Sequence, residues 1–304
     1  MNYLMTFLKG MGMGAADVVP GVSGGTIAFI TGVYDTLLES IRRVNPTLLR
    51  YWKENGTAKT FDYINIKFLI CLFAGILTSV ATLAKLISWL LDTHPIPIWS
   101  FFFGLIIVSV LHIAKQINKS NPLLLVGLFA GIAIAYSITV LQPLHLEVTP
   151  INIVISGAIA ICAMILPGIS GSFILLMMGM YAGILGAVKS GDVTTLGLFA
   201  VGCLIGLLTF SHLLSWLLKN ARNFTLTTLT GLMIGTLPKI WPWKETITWR
   251  TNSHGEKVPL LQHNLSPFTY EQVTSHQPQL LVAVLLMLLA IVLVLGLEKF
   301  ADRS

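Results

Sequence analysis

The stretch Pro20-Gly21-Val22-Ser23-Gly24-Gly25-Thr26 decides the fold, because it occurs twice. Its second copy is Pro167-Gly168-Ile169-Ser170-Gly171-Ser172, and Pro20 and Pro167 are 147 positions apart (167 − 20). The register holds beyond the loop: Ile27 falls on Ile174, Gly32 on Gly179 and Tyr34 on Tyr181. Each copy breaks an apolar segment with a proline, glycines and hydroxyl residues. In hydrocarbon such a break strands backbone N–H and C=O groups, which is tolerated only inside protein or against a water-filled cavity. Two breaks at corresponding places in two halves of a membrane protein point to a transporter's binding site.

The composition agrees with membrane residence. Of 304 residues, 55% are hydrophobic and 11% charged, with a mean hydropathy of +0.80; soluble domains carry about 25% charged residues. The net charge of +6 does not mark a nucleic-acid binder, because the basic residues sit in short loops between apolar runs. Cys71, Cys162 and Cys203 lie in apolar segments without metal-ligand spacing and read as small hydrophobes.

Outward from the breaks, residues 1–41 and 150–188 read as two broken helical hairpins. Their arms are each about the minimum length for a span, which favours re-entrance, although fully spanning arms remain compatible with the pattern. Residues 66–91, 98–117 and 122–141 follow the first hairpin as apolar segments, and 194–218, 226–241 and 279–297 follow the second. Ser88-Trp89-Leu90-Leu91 matches Ser215-Trp216-Leu217-Leu218 at an offset of 127 (216 − 89). The fall in offset reflects a longer polar connection, residues 42–67, in the first half. Each half, 1–141 and 150–304, is thus a hairpin plus three spans. Three is odd, so the second half enters the membrane inverted. The expected fold is an all-α integral membrane protein built as an inverted-topology repeat.

Lysine and arginine counts orient it. Thirteen of them, from Lys9 through Arg42, Arg43 and Lys219 to Arg303, fall on the side of the N-terminus. The other side receives five, mostly in the loop 242–278, and long loops count for little. Both termini are therefore expected in the cytoplasm. In the long loop, Thr246–Arg250 and Lys257–Leu261 flank Asn252-Ser253-His254-Gly255, the pattern of a small hairpin. Trp99, Trp241 and Trp243 read as interfacial anchors.

At each break a half-helix begins near Ser23 or Ser170, with unpaired N–H groups and the positive end of the dipole facing the break. Gly21, Gly24, Gly25, Gly168 and Gly171 allow close approach to the backbone, and Ser23, Thr26, Ser170 and Ser172 supply hydroxyls. Two such tips suit a phosphate; the bland alternative is a packed turn whose hydroxyls are helix caps. Lys85 lies inside an apolar span, with His212 at the matching place in the other half. A charge at that depth is a functional candidate by default, and the alternative is a lysine that snorkels to the headgroups. Asp17, the carboxylate nearest a break, is a candidate for binding a coupling cation, for pairing with Lys9, or for capping its arm.

Gly14-Ala15-Ala16-Asp17-Val18-Val19-Pro20-Gly21-Val22-Ser23-Gly24-Gly25-Thr26, together with Pro167–Ser172 and Gly179-Met180-Tyr181, resembles the bacterial polyprenyl-phosphate transporter family over essentially the whole chain. The first copy follows its tyrosine with Asp35 where the second has Ala182, so any carboxylate role there is asymmetric. The resemblance implies a non-enzymatic flippase of the inner membrane that returns undecaprenyl phosphate from the outer to the inner leaflet. The partners it implies are that lipid and the surrounding membrane lipids, with no nucleic acid and no cofactor; a homo-oligomer is compatible with the sequence. Voltage opposes inward movement of the anion, so coupling to H+ or Na+ is expected. Two competing readings are an integral-membrane polyprenyl-diphosphate phosphatase and a transporter or channel for a small anion. The phosphatase is disfavoured because these loops carry no arginine to clamp a phosphoryl group.

Overall fold

The computed structural model describes residues 2–19, 21–118, 121–141, 144, 146–251 and 257–301. Pro20 and the turn Asn252–Gly255 lie outside the described residues.

Helix α1 (Tyr3–Val18) starts where the Asn2 side chain accepts the Met5 amide, and ends at Val19, whose extended backbone enters the first break. Helices α2 (Gly24–Ile30) and α3 (Tyr34–Arg42) follow. Seven residues rise only about 10 Å, a third of the ~30 Å hydrocarbon core, so α2 does not cross it. Gly32, at φ +70°, turns the chain into α3. The polar connection expected over 42–67 contains a helix, α4 (Thr47–Tyr63), interrupted at Gly56 (φ 78°, ψ 172°) and burying only Thr60.

Helices α5 (Ile66–Thr93), α6 (Pro95–Lys115) and α7 (Leu123–Val140) come next. The break motif then recurs as α8 (Pro150–Ile165), α9 (Gly171–Met177) and α10 (Tyr181–Ser190). Gly179 turns the chain at φ +74°, and α9 meets α10 at 111°. The long α11 (Val193–Asn220) follows, its first amides capped by Asp192. Helix α12 (Arg222–Thr236) gives way to a 3-10 turn over Leu237–Ile240. This helix is shorter than the apolar stretch 226–241, because Pro238 cannot supply the amide that an α-helix would require there.

Helices α5, α6, α7 and α11 are each long and apolar enough to cross a bilayer. The chain is a mostly helical, multi-pass membrane protein. Its helices pack in pairs through glycine. A Cβ at Gly10 or Gly14 of α1 would strike the α5 backbone at Leu72 or Ile76. Gly202 and Gly206 of α11 meet α8 at Val154 and Ala158 in the same way, and Gly131 and Gly231 seat α7 on α12. Lipid gives helices no hydrophobic reason to associate, so close backbone approach at small residues supplies the attraction. Helix α14 (Leu280–Ala301) completes the bundle against α6, with Gly104 under Met287. All three cysteines are free and half-buried; Cys162 and Cys203 donate to Gly206 and Gly157 carbonyls across the α8–α11 seam.

Strands β1 (Lys244–Thr251) and β2 (Lys257–Asn264) form an antiparallel hairpin, followed by the short α13 (Pro267–Thr274). Two of the three tryptophans expected as interfacial anchors fasten the base of this hairpin to neighbouring backbone. Trp243 is 3% exposed and donates to Pro278 O at 2.8 Å, while Trp241 donates to Leu265 O at 2.8 Å. The third, Trp99, lies under the Lys244 ammonium, 3.9 Å from its ring centroid.

Candidate functional site

The two breaks, far apart in sequence, touch. The Gly168 amide donates to Thr26 Oγ at 3.0 Å, and Ser23 Oγ donates to Met164 O at 3.0 Å. Tyr34, at the turn after α2, donates its hydroxyl to Ile165 O at 3.2 Å. Carbonyls freed at the end of α8 are thus satisfied by side chains of the first break, which is how broken backbone survives in a membrane interior. Gly21 and Gly168 adopt φ +89° and +88°, a region that costs an L-residue about 1–2 kcal/mol. Their matching geometry is why glycine follows proline in both copies.

The amides of the first tip are occupied. Asp17 Oδ1 accepts from Gly24 N at 2.7 Å, Ser23 Oγ accepts from Gly25 N at 3.1 Å, and Ser23 O accepts from Thr26 N at 2.9 Å. The room at these glycines is also filled by protein. A Cβ on Gly24 would lie 2.6 Å from an Asp17 carboxylate oxygen, and one on Gly25 would lie 2.6 Å from Ile165 O. Lys9 turns away from Asp17 and donates to Thr31 O at 2.7 Å.

The second tip differs. The position matching Asp17 is Met164, so no carboxylate caps α9. The Ser170 and Ser172 hydroxyls lie 2.9 Å apart; Ser170 is 5% exposed and Ser172 is exposed. Gly171 is packed against Ala160 O. Between the breaks lies a cavity of ≈ 10 Å³ lined by Gly21, Gly168, Ser170, Phe173, Thr236 and Lys239, with Ile138 and Thr139 of α7 on its wall. That volume is at the lower limit for one water and too small for a phosphate group.

The breaks and the cavity bring together Gly21, Ser23, Gly24, Gly25, Thr26, Gly168, Ser170 and Gly171. Lys85 and His212 do not line the cavity. Lys85 is exposed on α5, and His212 is half-buried on α11 with Nδ1 2.7 Å from Leu208 O.

Residues 13–258 match the model of a family described as undecaprenyl phosphate translocase-like. The chain belongs to that family. It is 69% identical, over 100% of its length and 98% of the relative's, to a polyprenyl-phosphate transporter of Vibrio cholerae. It is 33% identical to a polyprenyl-phosphate transporter of Staphylococcus aureus, over 78% of this chain and 86% of that one. These relatives are named as transporters, not enzymes. No solved structure shows a significant match.

One residue of this family member's cavity carries no mark in the sequence. Lys239 lies about 70 residues from the nearer break, near the end of the apolar stretch 226–241. Its proximity to Pro238 and to the end of an apolar run was the only available signal.

Proposed function

We propose that this chain is a flippase that carries polyprenyl phosphate from the outer to the inner leaflet of the bacterial cytoplasmic membrane, for reuse of the lipid carrier in envelope synthesis. The observation that carries this reading is the meeting of two broken helices at a small polar cavity, in a chain whose relatives are named polyprenyl-phosphate transporters. A prenyl chain can remain in lipid while only its phosphate passes between the tips, so a passage for one small anion suffices.

An inverted-topology repeat with re-entrant hairpins supports alternating access to that cavity. Matched turns at Gly21 and Gly168 and at Gly32 and Gly179 favour it. So does the exchange of packing partners: α1 lies on α5 as α8 lies on α11, and α6 lies on α14 as α12 lies on α7. The basic-residue bias places both termini in the cytoplasm. Helix α3 then lies at the cytoplasmic face, where Glu39 meets Lys219 at 3.3 Å and Asp35 meets Arg222 at 3.6 Å. The cavity lies toward the opposite face, at the ends of α7 and α12.

Inward movement requires a cation. A phosphomonoester carries about −1.5 to −2 charges near neutrality, and each charge moved against 100 mV costs about 2.3 kcal/mol. Fixed dipoles lower a barrier but leave that equilibrium unchanged. H+ or Na+ therefore enters with the headgroup, and Asp17, set between the α1 end and the α2 start, is the candidate to bind it.

The test is flux of labelled polyprenyl phosphate in liposomes, with phosphate release from the diphosphate measured in parallel. Flux without phosphate release is expected. Phosphate release without flux would establish the phosphatase instead.

A further inference from the structure

We propose that Lys239 is the counter-ion of the transported headgroup, and that the β1–β2 hairpin positions it. This rests on the transport reading and assigns a role to the loop 242–278, which that reading leaves without one. Lys239 is the charged side chain among the residues lining the cavity between the breaks. Its stem packs over Gly21, where an added Cβ would come within 3.1 Å of Cγ. Its ammonium lies 4.9 Å from the centroid of the Phe173 ring, on the first turn of α9. Among the described residues, no carboxylate forms an ion pair with it. A half-buried ammonium beside membrane-embedded backbone is costly without an opposite charge. An aromatic face compensates only in part. An anionic ligand completes the balance.

The backbone carrying Lys239 is held from outside the membrane bundle by both strands. Lys244 of β1 donates to Lys239 O at 2.6 Å, and Asn264 of β2 donates to Pro238 O at 2.8 Å. Lys244 is itself seated on Trp99 of α6. Burial, with Lys239 nearby as a second cause, pushes its ammonium below the ordinary lysine range. The hairpin is thus bolted to α6 by Lys244 and to the 3-10 turn by two hydrogen bonds. Snorkelling is the competing account of Lys239. It would direct the ammonium to solvent, whereas the ammonium lies over Phe173 at the cavity.

The test is the affinity of the purified full-length protein for polyprenyl phosphate and for the uncharged polyprenol, with liposome flux measured in parallel. Lys239→Gln is expected to lose at least tenfold in phosphate affinity and nothing in polyprenol affinity, while Lys239→Arg stays within about threefold of wild type. Lys239→Met keeps the stem over Gly21 and decides the matter if the glutamine variant misfolds. Lys244→Met and Asn264→Ala are expected to lose phosphate affinity several-fold with polyprenol affinity unchanged, and Lys244→Arg to restore it. Unchanged phosphate affinity in both Lys239→Gln and Lys239→Met, beside normal wild-type flux, overturns the counter-ion role and leaves transport standing. Unchanged affinity in Lys244→Met and Asn264→Ala overturns the role of the hairpin. Lysine-dependent binding by a wild type that shows no flux overturns transport and upholds the counter-ion.

Discussion

The Thr26 hydroxyl accepts the Gly168 amide at 3.0 Å, joining two breaks that are 142 residues apart by this bond. Both groups are buried, so removal of the hydroxyl leaves an amide unpaired in a dry interior, at about 1–3 kcal/mol. Thr26→Val, nearly equal in volume, is expected to lower the melting midpoint in detergent and to cut flux severely. Thr26→Ser is expected to keep most of both. A valine variant with wild-type midpoint and flux would mean that the two tips are not joined through this bond.

Asp17 caps the Gly24 amide, and that role needs an acceptor rather than a charge. Asp17→Asn is therefore expected to melt within a few degrees of wild type, whereas Asp17→Ala loses about 1 kcal/mol or more, as helix caps do. Coupling, by contrast, needs the charge. In liposomes, Asp17→Asn is expected to lose the dependence of flux on the H+ or Na+ gradient. A gradient response equal to wild type removes Asp17 as the coupling site.

At the other end of the bundle, the Arg42 guanidinium hydrogen-bonded to Glu39, with Lys219 beyond it, holds the Glu39 carboxyl down to about 2. A carboxyl depressed in the fold contributes stability that is complete above its unfolded value, about 4.3, and is lost as pH falls through about 2. Partly exposed pairs are worth about 0–1 kcal/mol, so the effect is small. The midpoint difference between wild type and Glu39→Gln is expected to hold from pH 7 to about pH 5 and to narrow as pH falls from there toward about 2. A difference that stays constant from pH 7 down to about pH 2 would show Glu39 titrating in the fold as an ordinary glutamate.

Much of the helical architecture was written in apolar run length, since a run of 20 residues has few options besides crossing a bilayer. The repeated proline–glycine stretch also marked where the chain breaks, because positive φ at Gly21 and Gly168 leaves a compositional trace. Helix α4 left none. It is polar, interrupted at Gly56 and held by local contacts such as Arg43 on Tyr63. Nor could the sequence separate glycines that admit a ligand from glycines that admit protein, and Gly24, Gly25 and Gly171 face Asp17, Ile165 and Ala160. Lys239 was hidden for a third reason. Its place over Gly21 depends on how α12 ends and on two hydrogen bonds from a hairpin, neither of which has a periodic signature.

The most direct test of the central claim, that the phosphate passes between the joined breaks, is substrate protection at Thr139. Thr139 is half-buried on the cavity wall. The measurement is the rate at which a water-soluble thiol reagent modifies Thr139→Cys, in a background with Cys71, Cys162 and Cys203 replaced. Polyprenyl phosphate is expected to slow modification at least several-fold, and polyprenol of the same length is expected not to. Equal rates with phosphate, with polyprenol and with neither would contradict the account, because the headgroup would then be crossing elsewhere.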